Sequence, residues 1–327
     1  MSEPALVAHA DWSVQPGKRW MARAVHQPGG GYLAEAPAPV GALEDFWDRL
    51  AADAGPGAIL VGFDFPIGLP AAYARHAAIE GFLEALQRFG DDFYKVARTP
   101  EEISLARPFY PDRPGACRRQ DLLDALRFQS WDCLHRRCDR ATARRQAACP
   151  MFWTLGGNQV GKAMIVGWRD LLAPARRNGV DVAIWPFDGA LAALIHEHRF
   201  VVAETYPGEV YGHLGLSLRT GGGKRSQFAR QANAARLLDW ASGAKLALAP
   251  ALRSEITAGF SSARGADDRF DAVVGLFGLI NVVRGARPSG ESDDPTVRRI
   301  EGWILGQETS VDERPASLDE PTERLPD

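Results

Sequence analysis

The chain has 327 residues, a formal net charge of −3 at pH 7 and an isoelectric point near 6.2. This charge lacks the global basic signature of nucleic-acid-binding proteins, so a nucleic-acid partner would require a local basic patch. Four cysteines in a chain of this length argue against a disulfide scaffold. No apolar run is long enough to span a bilayer, and the start Met-Ser-Glu-Pro has no apolar signal segment. We therefore expect a cytoplasmic protein without a membrane partner.

Acidic residues end two apolar strands that are predicted in the first 70 residues. The segment Ala5-Leu-Val-Ala-His-Ala-Asp11 is short, apolar and closed by an acid, and Ala58-Ile-Leu-Val-Gly-Phe-Asp64 repeats the pattern. Between them, turns rich in proline and glycine separate two further strands, and a helical apolar period follows. The predicted elements are strands over residues 5–11, 18–25, 30–34 and 58–64 and a helix over residues 41–53.

The sequence of residues 71–178 predicts a mostly helical insert. Residues 121–145 have a helical pattern that is basic towards its end, and residues 158–177 show a second helix with an apolar side. Aromatic residues at Phe128 and Trp131 lie among many arginines, a combination that suits nucleic acid. A solvated face that pairs with acids elsewhere is the alternative. The arginines concerned are Arg118, Arg119, Arg127, Arg136, Arg137, Arg140, Arg144 and Arg145.

The last part of the chain predicts further strands and helices and an acidic tail. Glu204 closes one of these strands and is the third acid in such a position. From residue 307 the chain is rich in proline and glutamate without an apolar period, which predicts a disordered acidic tail over residues 307–327. The predicted elements are strands over residues 180–185 and 199–204, helices over residues 190–198, 224–240 and from 267, and a last ordered element over residues 297–306.

The start of the last long helix carries three carboxylates within five residues, in Asp267-Asp268-Arg-Phe-Asp271. On a helix, Asp271 is a neighbour of both other aspartates, and like charges at that spacing repel each other. A divalent cation would relieve this repulsion. The alternative is that one aspartate caps the helix while another lies in its dipole-positive first turn. We expect Asp267 to be the cap and Asp268 and Asp271 to be metal ligands.

Three strand-end acids, Asp11, Asp64 and Glu204, give this helix possible partners. Ligands bind at the carboxyl ends of strands in open α/β sheets, and carboxylate oxygens are the ligands that Mg²⁺ and Mn²⁺ prefer. Two such ions about 4 Å apart can activate a water and stabilise the leaving oxygen in phosphodiester cleavage. Each acid also has a structural alternative. Asp11 can cap a turn, Asp64 can hold the proline-containing loop that follows it, and Glu204 can pair with an arginine.

The motifs, taken in order, resemble those of the predicted RNase H-like nucleases, a prokaryotic family known as domain of unknown function 429. The resemblance covers most of residues 5–306. In the first strand, His9-Ala-Asp11 stands where the family pattern would have Gly-x-Asp. The motifs that carry it are Gly62-Phe-Asp64-Phe-Pro66-Ile-Gly68, Ala203-Glu204-Thr-Tyr-Pro207 and Asp267-Asp-x-x-Asp-Ala, with support from Ile184-Trp-Pro-Phe-Asp188 and from the helix that contains Lys224 and Arg236.

The resemblance implies an α/β fold of the RNase H type, with a mixed five-stranded sheet flanked by helices. The domain would cover residues 1–306, and the insert over about residues 71–178 is not explained by the core fold. The resemblance also implies catalytic roles for five acids. Asp11, Asp64, Asp268 and Asp271 would bind Mg²⁺ or Mn²⁺, and Glu204 would be a further ligand or would orient the attacking water.

Lys224 and Arg225 are the candidate substrate-binding residues. They follow three glycines, but Leu218 occupies the place of the first P-loop glycine and Arg225 that of the serine or threonine, which excludes a P-loop. Lys224 could instead contact a backbone phosphate, or it could simply begin a solvated helix. The four cysteines lack the spacing of a zinc site and predict free thiols.

These observations predict a metal-dependent phosphodiesterase, a nuclease that hydrolyses nucleic acid by a two-metal mechanism. Two alternatives belong to other classes. One is a small-molecule kinase or ATPase-like protein on the same sheet topology, in which a strand-end aspartate is the base, although convincing phosphate loops and a duplicated domain are missing. The other is a non-catalytic nucleic-acid-binding protein.

Overall fold

A mixed β-sheet lies at the centre of the protein in the computed structural model. The structure describes residues 3–115, 117–142, 145–155, 160–218 and 222–308. The strands are β1 (Leu6–Asp11), β2 (Trp20–His26), β3 (Tyr32–Ala34), β4 (Ala38–Pro39), β5 (Ile59–Phe63), β6 (Val182–Ile184), β7 (Phe200–Glu204) and β8 (Leu246–Leu248). Their order across the sheet is β6-β7-β5-β1-β2-β3-β8, and β4 pairs with β2.

Strand β1 separates an antiparallel part of the sheet from a parallel part. It pairs antiparallel with β2 and parallel with β5, and β5 continues in parallel with β7 and β6. The α/β class and the mixed sheet are therefore confirmed. The described part of the chain contributes eight strands rather than the expected five. Strands β4 and β8 were not predicted, because two or three residues are too short to show an alternating pattern.

Helices lie on both sides of this sheet. The α-helices are α1 (Phe46–Ala54), α2 (Ala71–His76), α3 (Phe82–Arg88), α4 (Arg119–Leu126), α5 (Val160–Val166), α6 (Ala173–Arg177), α7 (Leu191–Glu197), α8 (Pro207–His213), α9 (Gln227–Ala232), α10 (Ala234–Gly243), α11 (Pro250–Thr257) and α12 (Ala266–Val283). A π-helical segment, Gly167–Leu172, joins α5 to α6. The predicted helix over residues 158–177 is confirmed over its described residues.

Each face of the sheet has its own hydrophobic core, because successive strand residues point to opposite faces. On β1, Leu6 packs in a core with Phe82 and Trp168 of the insert. Val7, the next residue, packs in a second core with Phe277 of α12. The insert therefore covers one face of the sheet and helix α12 covers the other. We call these the insert face and the α12 face.

Two predicted helices are interrupted. The prediction of a single helix over residues 121–145 is wrong. Helix α4 ends where Arg127 takes a left-handed φ of 59°, and two short 3₁₀ helices follow. The stretch 224–240 begins as a 3₁₀ helix, Gly223–Arg225, and then divides into α9 and α10 at Asn233. The Asn233 side chain is hydrogen-bonded to both backbone groups of Ser217, so a tertiary contact ends α9 at this position.

The predicted acidic tail lies outside the described residues except for Gln307 and Glu308. Gln307 is buried, and its backbone carbonyl accepts a hydrogen bond of 2.9 Å from Trp303 Nε1. Gln307, where the disordered tail was expected to begin, is therefore part of the folded structure. No helix in the described part of the chain is both long and apolar enough to cross a membrane.

Candidate carboxylate site

Two neighbouring parallel strands bring Asp11 and Asp64 to the same end of the sheet. Ala10 is paired with Phe63 in the register of β1 and β5. The ladder continues one step further, because the Asp64 backbone N–H donates to the Ala10 carbonyl at 3.1 Å. Asp11 and Asp64 are the next residues on the two chains, so these two strand-end acids lie side by side, as the sequence predicts.

Helix α12 crosses close to this end of β1. His9 is fully buried, and its Nδ1 donates a hydrogen bond of 3.1 Å to the carbonyl of Ala272. A Cβ atom on Gly275 would lie 2.2 Å from the His9 ring, so the close approach requires glycine at that position. Burial lowers the pKa of His9 to about 3 and keeps the ring neutral. Residues two apart on a strand share a face, so Asp11 also faces α12.

The first turns of α12 carry the remaining aspartates. Gly265 occupies the N-cap position with φ 81°, a left-handed conformation that glycine adopts without strain. The expectation that Asp267 caps the helix is therefore wrong. Asp267 and Asp268 lie in the first turn, where the helix dipole favours negative charge. Asp271 lies one turn further along, on the buried side of the helix.

Asp271 is 1% exposed, and both of its carboxylate oxygens accept hydrogen bonds. The hydroxyl of Tyr211, on α8, donates to Oδ1, and the ammonium of Lys224 donates to Oδ2. The side chain of Lys224 is 42% exposed and enters the cluster from the solvent side. Lys224 therefore neutralises part of the carboxylate cluster, which was neither of the two roles expected from the sequence.

Burial and mutual repulsion raise the pKa values of these carboxyl groups. Burial first, and then the charges of Asp271 and Asp64, raise the pKa of Asp11 well above its ordinary value, while Lys224 opposes the rise. Burial raises the pKa of Asp64 to about 7, with Lys224 opposing the rise and Asp271 adding to it. The pKa values of Asp268 and Asp271 are also raised, chiefly by burial. If all four carboxyl groups were ionised, the cluster would carry more negative charge than one ammonium can balance.

The carboxylate oxygens of the cluster suit a hard cation. No described residue donates a hydrogen bond to the side chains of Asp11, Asp64 or Asp268, although Asp11 is only 8% exposed. Mg²⁺ or Mn²⁺ would supply positive charge to these oxygens. The donor set therefore fits a divalent ion in type and in charge.

The present arrangement of the side chains is not that of a metal site. Among the described residues, no group of three or more histidine, cysteine, aspartate or glutamate side chains is placed so that it could hold a metal ion. The Lys224 ammonium lies against Asp271, so binding a divalent ion there requires Lys224 to release that carboxylate.

Glu204, the third strand-end acid, points to the other face of the sheet. In the β5–β7 register Glu204 is paired with Phe63, so Asp64 is level with Thr205 instead. Along β7, Glu204 lies on the same side as Phe200 and Val202, which pack on the insert face. Glu204 is therefore one residue out of step with Asp64, and its side chain points to the face opposite those of Asp11 and Asp64. This differs from the expectation that all three acids converge.

The Glu204 carboxylate is fully occupied on the insert face. Its two oxygens accept bonds of 2.6 and 2.7 Å from the guanidinium of Arg136, and Oε2 also accepts the Ile67 N–H at 2.7 Å. Arg136 is completely buried and pairs with Asp139 as well, at 2.8 Å. This arrangement realises the structural alternative for Glu204, and its predicted catalytic role stays a prediction.

Several arginines of the predicted basic surface serve internal ion pairs. Arg145 pairs with Glu209 at 2.9 Å and is largely buried, and the partly buried Arg137 pairs with Asp294 at 2.6 Å. The more exposed Arg118 holds Asp121 in the first turn of α4. Arg144 lies outside the described residues. The alternative of a charge run that pairs with acids elsewhere is therefore confirmed for these members, which weakens the insert as a nucleic-acid surface.

Three residues at the site were not predicted in the roles that they have: Tyr211 and Lys224 as partners of Asp271, and Arg136 as the partner of Glu204. Arg225, the other candidate substrate-binding residue, is exposed at the end of the 3₁₀ helix. No local signal shows the face of Glu204, because the other residues of β7 are all apolar and the whole strand is buried. Nothing in the sequence pairs Lys224 with Asp271 across 47 residues.

Comparisons with known proteins give no relative for this chain. No protein-family model, no curated protein and no solved structure matches it.

Proposed function

We propose that the protein is a metal-dependent phosphodiesterase of the RNase H type that hydrolyses nucleic acid. Asp11, Asp64, Asp268 and Asp271 would bind Mg²⁺ or Mn²⁺. The observation that carries the proposal is the convergence of carboxylates from β1, from the end of β5 and from α12 around a single ammonium, with their pKa values raised. Such perturbed groups are concentrated at functional sites.

The centre of the sheet supports the RNase H part of the proposal. Strands β3, β2 and β1 are antiparallel, and β5 and β7 then run parallel to β1, in the spatial order β3-β2-β1-β5-β7. These five strands form a mixed sheet, as the sequence resemblance implies. Strands β4, β6 and β8 lie outside this group of five.

The chain positions its carboxylates through contacts with neighbouring residues. The divalent ions, when bound, would activate a water and stabilise the leaving oxygen. The Tyr211 hydroxyl orients Asp271 by donating to Oδ1. The contact between His9 and Gly275 sets the approach of α12 to β1. Glu204 holds the backbone of Ile67, three residues after Asp64, and so acts as a positioning residue in this proposal.

The test is a cleavage assay with Mn²⁺ on single-stranded DNA, duplex DNA, RNA and an RNA–DNA hybrid. We expect cleavage of at least one substrate, and we expect Asp11→Asn to abolish it while the protein stays folded. Asp48→Asn is the matched control, because Asp48 is exposed on α1, and it should retain full activity. Failure to cleave any of these substrates, or equal cleavage by Asp11→Asn, would contradict the proposal. Transfer of phosphate from ATP to a small molecule would favour the kinase alternative.

A further inference from the structure

Phe228 is the most exposed large hydrophobic side chain in the described part of the chain. It lies on α9 and is 75% exposed, whereas Val14 and Leu105, the other exposed large hydrophobics, are 46% and 37% exposed. No ring of a described residue stacks on Phe228, and no described cation lies over it. An aromatic ring left in water forgoes the free energy that its burial would supply, so its exposure suits contact with a ligand.

Helix α9 is fixed to the protein by residues other than Phe228. Gln227 donates a hydrogen bond of 2.8 Å to the carbonyl of Ala258. Arg230 is 2% exposed and donates a hydrogen bond of 2.9 Å to the carbonyl of Gly259. The ring of Phe228 is therefore held in solvent by an anchored helix. A binding residue on such an element loses little conformational freedom when a ligand binds.

Two cations lie close to Phe228 in the chain. Lys224 donates to Asp271 of the carboxylate cluster, and its side chain is 42% exposed. Arg225 is exposed, and its side chain forms no ion pair or hydrogen bond with a described residue. Four residues span at most about 14 Å, so the Cα atoms of Phe228 and Lys224 lie within that distance of each other. The ring is therefore beside the cluster, with positive charge along the chain that joins them.

The neighbours of Phe228 favour a nucleobase over an apolar protein surface. Phe228 is the only large hydrophobic residue of α9, and Gln231, about one turn further along, is exposed as Arg225 is. Protein interfaces are marked by contiguous apolar patches, whereas this ring is isolated. A nucleobase has a flat π-face that stacks on a single ring, and neighbouring cations balance the phosphates of its strand.

We propose that Phe228 is a stacking platform for an unpaired nucleobase and that Arg225 contacts a phosphate of the same strand, so that the protein takes single-stranded nucleic acid. This inference rests on the proposed function and names its substrate class. The bases of a duplex are stacked inside the helix, so a base must be unstacked before its face can meet the ring. The contact itself uses only the ring and the guanidinium and needs no metal ion.

The experiment measures, in EDTA, the binding of fluorescein-labelled oligothymidylate and of a duplex of the same length by fluorescence anisotropy. The proteins are the wild type, Phe228→Leu, Phe228→Trp and Leu105→Ala. Phe228→Leu keeps an apolar side chain without a π-face, and Leu105 is the matched control because it is an exposed hydrophobic residue of the insert.

We expect the wild type to bind the single strand more tightly than the duplex. Phe228→Leu should bind the single strand at least about fivefold more weakly than the wild type, because a stacked base is lost. Phe228→Trp and Leu105→Ala should bind it at least as tightly as the wild type does.

Arg225→Met tests the phosphate contact. Loss of one phosphate contact on a single strand should lower the slope of log Kd against log salt concentration by about 0.7. An unchanged slope would contradict the contact between Arg225 and the strand.

Equal binding of the single strand by Phe228→Leu and the wild type, or equal binding of duplex and single strand by the wild type, would overturn this inference while leaving the proposed function intact. Absence of single-strand binding by the wild type would also overturn it, and the Mn²⁺ cleavage assay then decides separately on the proposed function. A wild-type dimer, seen by sedimentation, that Phe228→Leu dissociates would overturn it in favour of a second copy of the chain.

A crosslinking measurement uses the wild type alone and does not depend on the folding of any variant. An oligonucleotide with bromodeoxyuridine in place of thymidine should, on irradiation, crosslink to the peptide that contains Phe228, as identified by mass spectrometry. Crosslinks confined to other peptides would contradict the stacking of a base on Phe228.

Discussion

Two groups of acids at the same end of the sheet differ in how their charge is balanced. On the insert face, Glu204 and Asp139 surround the fully buried Arg136, and bidentate bonds satisfy the guanidinium. On the α12 face, Asp11 and Asp64 receive no hydrogen bond from a described residue, and the nearby Asp271 shares its charge with a half-exposed lysine.

The difference separates the structural acid Glu204 from the acids that we propose to be functional. A buried ion pair with every oxygen occupied holds the insert to the sheet and leaves no ligand position open. A cluster of carboxyl groups with raised pKa values is unfavourable for folding when it is ionised, and such a cost is typical of sites that bind a ligand. Strand-end position alone does not distinguish the two, because both groups follow apolar strands.

Removal of Arg136 should have the largest effect on stability. Arg136→Met leaves Glu204 and Asp139 buried without their counter-ion, and breaking a buried ion pair costs about 3–5 kcal/mol. We expect the free energy of unfolding, measured by urea denaturation, to fall by that amount. Arg98→Met is the control, because Arg98 is 66% exposed and lies 3.7 Å from Asp112, so its loss should cost less than about 1 kcal/mol. Equal losses of unfolding free energy in Arg136→Met and Arg98→Met would contradict the structural role of the buried ion pairs on the insert face.

A methyl group on Gly275 should damage the α12 face selectively. The Cβ of Gly275→Ala would lie 2.2 Å from the His9 ring, and overpacking of a core costs about 1–3 kcal/mol. We expect a lower melting temperature and weaker Mn²⁺ binding. Gly243→Ala is the matched control, since a Cβ on Gly243 meets no atom within 4 Å. An unchanged melting temperature for Gly275→Ala would show that α12 does not approach β1 this closely.

Neutralisation of Asp64 should stabilise the protein at alkaline pH. The pKa of Asp64 is raised in the folded state to about 7, so the folded state binds more protons than the unfolded state between about pH 4 and 7, and stability falls as the pH rises through this range. Asp64→Asn removes this penalty. We expect it to add roughly 1–2 kcal/mol to the free energy of unfolding at pH 8 and little at pH 4.

The control for this prediction is Asp48→Asn, on the exposed side of α1, which should leave the pH dependence of stability unchanged. A loss of stability in Asp64→Asn at pH 8 would indicate that the Asp64 carboxylate is structural, as Glu204 is on the other face.

The elements that could be predicted from the sequence are those with a strong local pattern. The apolar runs that end at Asp11 and Asp64 gave the central parallel strands, and the run after Asp271 gave α12. Local patterns could not give the partner of an acid. Whether Glu204 meets Arg136 or faces Asp64 depends on strand register and on contacts between residues 68 positions apart. The helix expected over residues 121–145 failed for the same reason, because its arginines satisfy distant carboxylates instead of lining a helix face.

Calorimetric titration of Mn²⁺ into the wild type, Asp11→Asn and Glu204→Gln at pH 6 and pH 8 tests the central claim most directly. Metal ligands must be deprotonated, so the wild type should bind more tightly at pH 8, above the pKa of about 7 for Asp64, than at pH 6. Asp11→Asn should lose binding, whereas folded Glu204→Gln should keep it, because Glu204 faces the insert. Absence of binding by the wild type, or equal binding by Asp11→Asn, would contradict the assignment of the α12-face carboxylates as a metal site.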